Sequence, residues 1–368
     1  MKKKLVIIAV IALVVTALAI SPFFRDKRTS LKVIYAGSLI VPFEELEKQF
    51  ESKHPGVDVQ IEGHGSIQVV RHLTDLHKEI DVLVVADDSL IPDMVYTAQI
   101  PGTSENYADW YVRFAKNQVV IAYTDKSKHA NEINESNWYE ILGRKNVKFG
   151  FSNPMLDACG YRTLMVIQLA ESYYDNLTIF DDLIAQNFDP AISLSKIGDT
   201  HTMHVPEIFE PKTKIAVRGG SVQLLPLLKH GEIDYAFEYK SVAQQHGLRF
   251  LELPPQIDLS STEYEDLYKK VNVRLGFQRF KSVDVDRVGR PIFYGITIPK
   301  NAPHSELAVE FVKFVISKDG QRELLKVWQP PITPTADNPD NMPWEINLVV
   351  KDSNSRVFKP PSQQGGKS

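Results

Sequence analysis

The chain has 368 residues and a formal net charge of −4, with 43% hydrophobic and 24% charged residues. These fractions are close to those of ordinary globular proteins, so the composition argues against disorder, and the length is sufficient for two domains. The sequence has no basic excess or basic tail that would attract nucleic acid, and we expect no nucleic-acid partner.

The first residues have the pattern of an export signal. Lys2–Lys4 precede an uncharged apolar run over residues 5–20, and Arg25 and Arg28 follow that run. Such a segment is either cleaved from the exported protein or retained as a single membrane anchor. We therefore predict a periplasmic or otherwise extracytoplasmic protein, with residues 1–29 as its signal peptide or N-terminal membrane anchor.

From residue 30 onward, strand and helix patterns alternate. Short β-rich segments end in small polar turns that precede amphipathic helices, a pattern that predicts an open α/β sheet. The predicted strands are 32–35, 57–61, 80–85, 119–123, 147–151, 214–217, 234–237 and 293–299. The predicted helical regions include 39–50, 67–73, 124–144, 305–317 and 321–328.

Cysteine and histidine usage argues against two kinds of metal site. Cys159 is the single cysteine of the sequence, so neither a disulfide framework nor a cysteine-based zinc site can form within the chain. His201 and His204 stand among Gly, Thr and Pro, and we expect them to lie in a solvated loop.

Three predicted strand-to-helix turns carry small polar residues, namely Gly37–Ser38, Gly65–Ser66 and Asp157–Gly160. In an open α/β sheet, ligands bind outside the carboxyl ends of the strands, where helix N-termini present unpaired N–H groups. Glycine permits close approach of the backbone, and serine adds a hydroxyl donor. Several such turns could form a neutral oxyanion site together, although each Ser or Asp could equally serve only as a helix cap.

Over residues 35–334 the sequence resembles the tungstate/molybdate-binding proteins of ABC transporters, in their archaeal-type branch. The similar stretches are Tyr35–Leu39, Gly65–Ser66, Asn117–Asp125, Gly150–Pro154, Asp157–Arg162, Asp234–Val242 and Tyr294–Pro303. This resemblance implies an α/β type II periplasmic-binding-protein fold, in which two lobes joined by two crossovers enclose the ligand. On this basis we expect lobe 1 to comprise 30–117 plus 243–338 and lobe 2 to comprise 118–242. We expect 339–368 to form a mobile tail.

The same resemblance implies a set of ligand-binding residues. It comprises two serines of lobe 1, an aspartate of lobe 2 with the two N–H groups that follow it, and a tyrosine at the cleft. In this sequence they are Ser38, Ser66, Asp157, Ala158, Cys159 and Tyr239.

The sequence departs from the family pattern at one position. The related proteins use one Asp and one Glu to extend the coordination of the metal within the oxyanion. Asp157 matches the Asp and is a candidate ligand to Mo or W, but Ser221 stands where the Glu is expected. Because a neutral donor would replace one metal–oxygen bond, we predict that hydrogen bonds hold the anion as a tetrahedron, or at most with five ligands. The alternative is that Glu238 replaces the missing carboxylate and supplies the second metal–oxygen bond.

These features predict the solute-binding subunit of an ABC importer that captures tungstate or molybdate by lobe closure. We expect a monomer without an organic cofactor, whose partners are the oxyanion, a membrane permease dimer and its ATPase. Sulfate or phosphate remains an alternative ligand. A third possibility is a hydrolase that uses Ser66 and His64, but these residues do not form a Gly-x-Ser-x-Gly elbow.

Overall fold

The computed structural model describes residues 28–276 and 286–355. The predicted export segment, 1–29, therefore lies outside the described residues except for its last two positions. Within the described ranges, no helix combines the length and apolar character needed to cross a bilayer.

The strands form two large mixed sheets and two smaller sheets. They are β1 (Thr29–Ala36), β2 (Val57–His64), β3 (Val82–Val85), β4 (Tyr111–Lys116), β5 (Val119–Tyr123), β6 (Phe149–Ser152), β7 (Phe188–Asp189), β8 (Ser193–Ile197), β9 (Thr200–Val205), β10 (Glu210–Pro211), β11 (Ile215–Arg218), β12 (Tyr235–Tyr239), β13 (Arg249–Glu252), β14 (Val271–Leu275), β15 (Arg287–Val288), β16 (Phe293–Thr297) and β17 (Pro331–Asp337).

The helices cover the faces and ends of these sheets. They are α1 (Ile40–Lys53), α2 (Ser66–Thr74), α3 (Trp138–Gly143), α4 (Ala158–Tyr174), α5 (Ile179–Leu183), α6 (Leu225–His230), α7 (Lys240–Gln245), α8 (Glu265–Tyr268), α9 (Ser305–Ile316), α10 (Lys318–Lys326) and α11 (Trp344–Ser355). Short 3-10 turns lie at Gly37–Leu39, Ala185–Asn187, Ser221–Leu224 and Thr262–Tyr264, and a π turn lies at Ile91–Val95.

The first sheet has the strand order β17-β4-β16-β3-β1-β2. Strand β1 is parallel to β2 and β3, whereas β16, which comes from the C-terminal part of the chain, is inserted antiparallel between β3 and β4. The apolar stripe of α1 is buried as its spacing predicts, and the ring of Phe50 packs edge-on against Phe311 of α9, with centroids 5.1 Å apart. The C-terminal helix α9 thus belongs to the same lobe as α1.

The second sheet has the strand order β11-β6-β12-β5-β13 and repeats this arrangement. Strand β6 is parallel to β11 and β12, and β5 is inserted antiparallel between β12 and β13. The inserted strand of the second sheet, β5, is its first strand after the chain leaves the first sheet. The inserted strand of the first sheet, β16, is its first strand after the chain returns from the second. The chain therefore passes twice between two α/β lobes, which confirms the predicted fold class.

The boundary predicted between 242 and 243 differs from the division of the sheets. Strand β13, at Arg249–Glu252, pairs in the second sheet. A further sheet pairs β14 with β9 and β15, and β8 with β9, so it joins residues of the second lobe to residues beyond 270. Both ends of β13 are exposed, so this edge strand lacks the continuous apolar run that marks a buried strand.

Two local predictions were wrong. His201 and His204 lie on β9 and not in a loop, because β8 and β14 supply backbone partners on both sides of that strand. The region 124–144 is helical only at Trp138–Gly143, and turns occupy most of the remainder.

The prediction of a mobile tail from residue 339 does not hold for 344–355. These residues form α11, which packs against α9 and β17 and fully buries Ile346. The tail residues 356–368 lie outside the described range. The C-terminal helix is therefore part of the first lobe's core.

We expect Ile346→Ala to lower the free energy of unfolding by about 2–5 kcal/mol, because it removes buried methylene groups and leaves a cavity. Leu348→Ala, on the same helix but 56% exposed, is the matched control and should cost less than about 0.5 kcal/mol. Urea denaturation measures both values. Equal effects of the two substitutions would show that α11 is not docked.

Candidate functional site

The residues predicted to bind the ligand lie at the carboxyl ends of strands. Ser38 follows β1, Ser66 follows β2, Asp157 follows β6 and Ser221 follows β11, while Tyr239 is the last residue of β12. Each side chain is at most 5% exposed, and Ala158 and Cys159 are fully buried. The predicted placement at strand ends is thus found in both lobes.

On the side of lobe 1, the two serines bond to other parts of their own lobe. The Oγ atom of Ser66 accepts a hydrogen bond from the backbone N–H of Ala86 at 3.0 Å. The hydroxyl of Ser38 lies 3.0 Å from the hydroxyl of Tyr294, which also accepts a hydrogen bond from Asn117 Nδ2 at 3.0 Å. Neither serine is only a helix cap.

On the side of lobe 2, Asp157 and Ser221 are joined directly. The backbone N–H of Ser221 donates to Asp157 Oδ2 at 3.1 Å, and no hydrogen bond of the Asp157 side chain caps α4. Burial raises the pKa of Asp157, while the neighbouring polar groups of Ser152, Ser221 and Ser66 oppose that rise. Asp157 therefore does not serve only as a helix cap.

Glu238 brings a second carboxyl group into the site. Its Oε1 atom accepts hydrogen bonds from Ser221 Oγ and from the backbone N–H of Tyr239, both at 2.8 Å. Its Oε2 atom is buried and has no hydrogen-bond partner among the described residues. Burial raises the pKa of Glu238 to about 8, and the charge of Asp157 adds to that rise against the opposing effect of the two hydrogen bonds. At neutral pH the carboxyl group is therefore mostly protonated, and its O–H is a donor.

Arg162, on α4, connects the two lobes and the two halves of the site. Its Nη1 atom donates to the backbone oxygen of Ala86 at 2.6 Å and to the hydroxyl of Tyr239 at 2.7 Å. Its Nη2 atom lies 3.5 Å from Asp87 Oδ2 of lobe 1, which also accepts a hydrogen bond from Tyr161. Although burial favours the neutral acid, Arg162 and other arginines hold the pKa of Asp87 well below its usual range.

The side chains of Ser38, Ser66, Asp157, Ser221 and Tyr239 therefore belong to one connected network. Ser66 reaches Tyr239 through Ala86 and Arg162, while Asp157 reaches Tyr239 through Ser221 and Glu238. Ser38 joins through Tyr294, whose ring lies edge-on to that of Tyr239 at 6.3 Å.

At the turn that contains Gly65, the backbones of the two lobes are in direct contact. The oxygen of Leu156 accepts hydrogen bonds from the N–H groups of Ile67 and Gln68 at 3.1 and 3.2 Å. A Cβ atom added at Gly65 would lie 2.3 Å from that same oxygen and 2.9 Å from Asp157 Cβ. This contact occupies the N–H groups of Ile67 and Gln68 at the start of α2. The expectation that these N–H groups face a ligand was therefore wrong.

Cys159 and Ala158 occupy the first turn of α4, where helix geometry provides no intrahelical partner for the backbone N–H. Burial, with the charges of Glu238 and Asp157, raises the pKa of the Cys159 thiol well above its usual value. A neutral thiol is a poor nucleophile and a poor metal ligand. We therefore expect Cys159 to contribute through its backbone.

The hydrolase alternative required a hydrogen bond between Ser66 and His64. In the structure, Ser66 Oγ is bonded to the backbone of Ala86, and His64 Nε2 lies 2.7 Å from Glu62 Oε1. The two side chains therefore belong to different hydrogen bonds and do not form a nucleophile–base pair.

Several residues of the network were missed by the assignment of roles from sequence. Arg162, Tyr294 and Asn117 all lie within the stretches that resemble the family, but their polar atoms were not assigned to the site. Asp87 carries no local pattern beyond its position after β3. The sequence signal that could have identified Arg162 is a charged residue within an otherwise apolar helix, because a buried charge requires a partner.

None of the residues predicted to bind the ligand lines the larger open clefts. A cleft of about 790 Å³ beside the first crossover is lined by residues that include Asn117, Lys240 and Ser241, and one of about 530 Å³ includes Gly37 and Val222. The network itself is enclosed, so we assign the candidate site to the buried donors and not to either cleft.

Comparisons with known proteins agree with this architecture. The family described as bacterial extracellular solute-binding protein matches residues 31–326. An uncharacterised solute-binding protein of Methanoculleus marisnigri is 42% identical over 310 residues, which cover 84% of this chain and 83% of the relative. The molybdate/tungstate-binding protein WtpA of Pyrococcus abyssi is 40% identical over 333 residues, which cover 89% of this chain and 91% of that protein.

Among solved structures, the periplasmic molybdate-binding protein of Azotobacter vinelandii is similar in fold. The TM-score is 0.51 with 15% sequence identity, and the alignment covers 81% of this chain and 98% of that chain. At this identity the likeness concerns the fold alone, and it confirms the type II periplasmic-binding-protein architecture.

Proposed function

Because the chain belongs to the family of bacterial extracellular solute-binding proteins, we propose that it is the binding subunit of an ABC importer and that its ligand is tungstate or molybdate. The observation that carries this proposal is the buried network that joins hydroxyl, carboxyl and backbone groups of both lobes. The relative that is named for molybdate and tungstate supports the same ligand, since it is 40% identical over most of both chains.

The burial of the site favours a small ligand. Ser38 and Asp157 are the most exposed of the proposed ligand-binding residues, at 5%, so a bulky solute has no path along their side chains when the lobes are closed. A small dianion can be held there by neutral donors, which avoids burying several full charges. Arg162 provides one buried positive charge beside these donors.

We propose that the anion accepts hydrogen bonds from hydroxyl groups whose oxygens already accept a hydrogen bond from the protein. Ser66 and Tyr239 both accept hydrogen bonds through their hydroxyl oxygens, so their hydroxyl hydrogens remain available to an anion. The N–H groups of Ala158 and Cys159 are further donors, and protonated Glu238 is another. Ser38 would contribute a hydroxyl that now lies beside Tyr294.

Ser221 takes a different role in this proposal. Its hydroxyl donates to Glu238 and its N–H donates to Asp157, so we infer that it orients the two carboxyl groups and does not itself bind the anion. Asp157 Oδ2 accepts the hydrogen bond from the backbone N–H of Ser221, and the residue is buried. Because this hydrogen bond occupies one of the two carboxylate oxygens, we propose tetrahedral binding of the anion by hydrogen-bond donors.

Closure of the two lobes would couple binding to transport. Contacts such as Arg162 with Asp87, and Leu156 with the start of α2, join the lobes and can exist only when they are closed. A bound anion that bridges donors from both lobes would favour this form. We propose that the closed form engages a permease dimer and its ATPase outside the cytoplasm, that the protein is a monomer, and that residues 1–29 direct its export or anchor it.

The ligand assignment is tested by calorimetric titration of the full-length chain with tungstate, molybdate, sulfate and phosphate. We expect dissociation constants on the order of nanomolar for the first two, about −12 kcal/mol, and no measurable heat from the others. Tight binding of sulfate or phosphate would instead assign the site to another tetrahedral anion and would contradict the proposed ligand.

Gly65→Ala should weaken tungstate binding by about 100-fold or more, equivalent to ~2.7 kcal/mol, because the added Cβ would collide with the backbone oxygen of Leu156 on closure. Gly56→Ala is the matched control, since a Cβ there meets no atom within 4 Å, and it should leave the affinity unchanged. Titration calorimetry gives both affinities. Wild-type affinity in Gly65→Ala would mean that binding does not need this close approach.

Tungstate affinity should be constant below about pH 8 and then fall about tenfold per pH unit. The pKa of Glu238 is raised to about 8, so the protonated donor is present below that pH and is lost above it. Glu238→Gln keeps an N–H donor at every pH, and its profile between pH 6.5 and 9.5 should be flat.

The other acids of the network do not produce this profile, since burial also raises the pKa of Cys159, Tyr239 and Tyr294 above their usual values. An unchanged pH dependence in Glu238→Gln would therefore assign the titration elsewhere and remove Glu238 from the ligand-binding groups.

A further inference from the structure

A cluster of metal-ligating side chains lies on the outer side of the turn that carries Ser66. Glu62 and His64 alternate along β2, so their side chains point to the same face of the strand. His72 lies on α2, the next element of the chain, and its ring meets that of His64 edge-on with centroids 4.3 Å apart. One ligand atom from each of Glu62, His64 and His72 lies within 4.8 Å of the others.

This donor set suits a borderline divalent metal. Two imidazole nitrogens and a carboxylate oxygen are common zinc ligands, and a fourth position remains for water. Tetrahedral bonds of about 2.0–2.2 Å place ligand atoms roughly 3.4 Å apart. Glu62 and His64 are already closer, at 2.7 Å, and Glu62 and His72 are 3.9 Å apart. Rotation of these partly exposed side chains is therefore sufficient, and we propose that Glu62, His64 and His72 bind a divalent transition metal, of which Zn²⁺ fits best.

Lys78 shows that this position attracts a cation. Its Nζ atom lies 3.2 Å from Glu62 Oε1 and 3.4 Å from His72 Nδ1. The side chain of Lys78 is 42% exposed, so its ammonium group can move into solvent at little cost. Lys78 is thus a competitor that a metal ion displaces, and its removal should favour the metal.

The metal site is separate from the proposed anion site. All of its ligands belong to lobe 1, so metal binding does not require the lobes to close. The ion would tie β2 to α2 on either side of the Gly65–Ser66 turn and would hold that turn in place. A failure of tungstate binding would leave this inference intact, and a failure of metal binding would leave the proposed function intact.

The test is calorimetric titration of ZnCl₂ into the full-length protein, purified without a histidine tag. We expect one Zn²⁺ per chain and a higher melting temperature with the metal. His64→Ala and His72→Ala should each lower the affinity by about tenfold or more. His230→Ala, an exposed histidine on α6, is the matched control and should bind as the wild type does. Lys78→Ala should bind Zn²⁺ more tightly.

Circular dichroism and the thermal unfolding curve of each metal-free variant establish that it is folded. The inference is overturned if wild type binds no Zn²⁺, or if binding survives in both His64→Ala and His72→Ala. Equal losses in these variants and in His230→Ala would likewise overturn it, because the metal would then bind dispersed surface histidines. A weaker affinity in Lys78→Ala would contradict the role of Lys78 as a competitor.

Discussion

The closed arrangement buries the charged side chain of Arg162, which must then find its acceptors within the protein. Removing a guanidinium group from water costs several kcal/mol, and this cost is offset only when the charge meets well-placed acceptors. Arg162 finds them in the backbone of Ala86 and the carboxylate of Asp87, both of lobe 1, and in the hydroxyl of Tyr239 in its own lobe. Opening the lobes would return the side chain to water, so neither form need be strongly disfavoured.

The remainder of the site follows from the same constraint. With one buried cation already placed, the anion can be held by hydroxyl and N–H groups, which need no further desolvated charge. The two carboxyl groups then need to be kept from repelling the ligand. The backbone N–H of Ser221 donates to Asp157 Oδ2, and Glu238 holds a proton because burial and the charge of Asp157 disfavour its own charge. Ser221, which stands where the related proteins were expected to have a carboxylate, is hydrogen-bonded to both.

The sequence allowed the fold class and the strand-end location of the site to be predicted, because both depend on local patterns. Small polar residues follow the buried strands at Ser38, Ser66 and Asp157, and the structure places each of them at such an end. Elements whose stability comes from distant partners were not predictable in this way. Strand β13 is a short edge strand, β9 pairs with a segment far along the chain, and α11 is stabilised by packing its apolar residues on α9.

The roles of individual residues within the site also depend on distant partners and were not predictable from local patterns. The sequence suggested Ser221 as an anion donor, but its hydroxyl is directed to Glu238 by the pairing of β11 and β12 with β6. The contact of Arg162 with Asp87 joins residues of different lobes and therefore has no local signature. The resemblance pointed to segments of the chain, whereas the partner of each polar atom required the three-dimensional arrangement.

X-ray absorption spectroscopy of the tungstate complex tests most directly whether hydrogen-bond donors, and not carboxylate ligands, hold the anion. Four short tungsten–oxygen bonds and no further oxygen in the first coordination shell are predicted. A shell of six oxygens would contradict the account, because Asp157 and Glu238 would then have to be ligands of the metal.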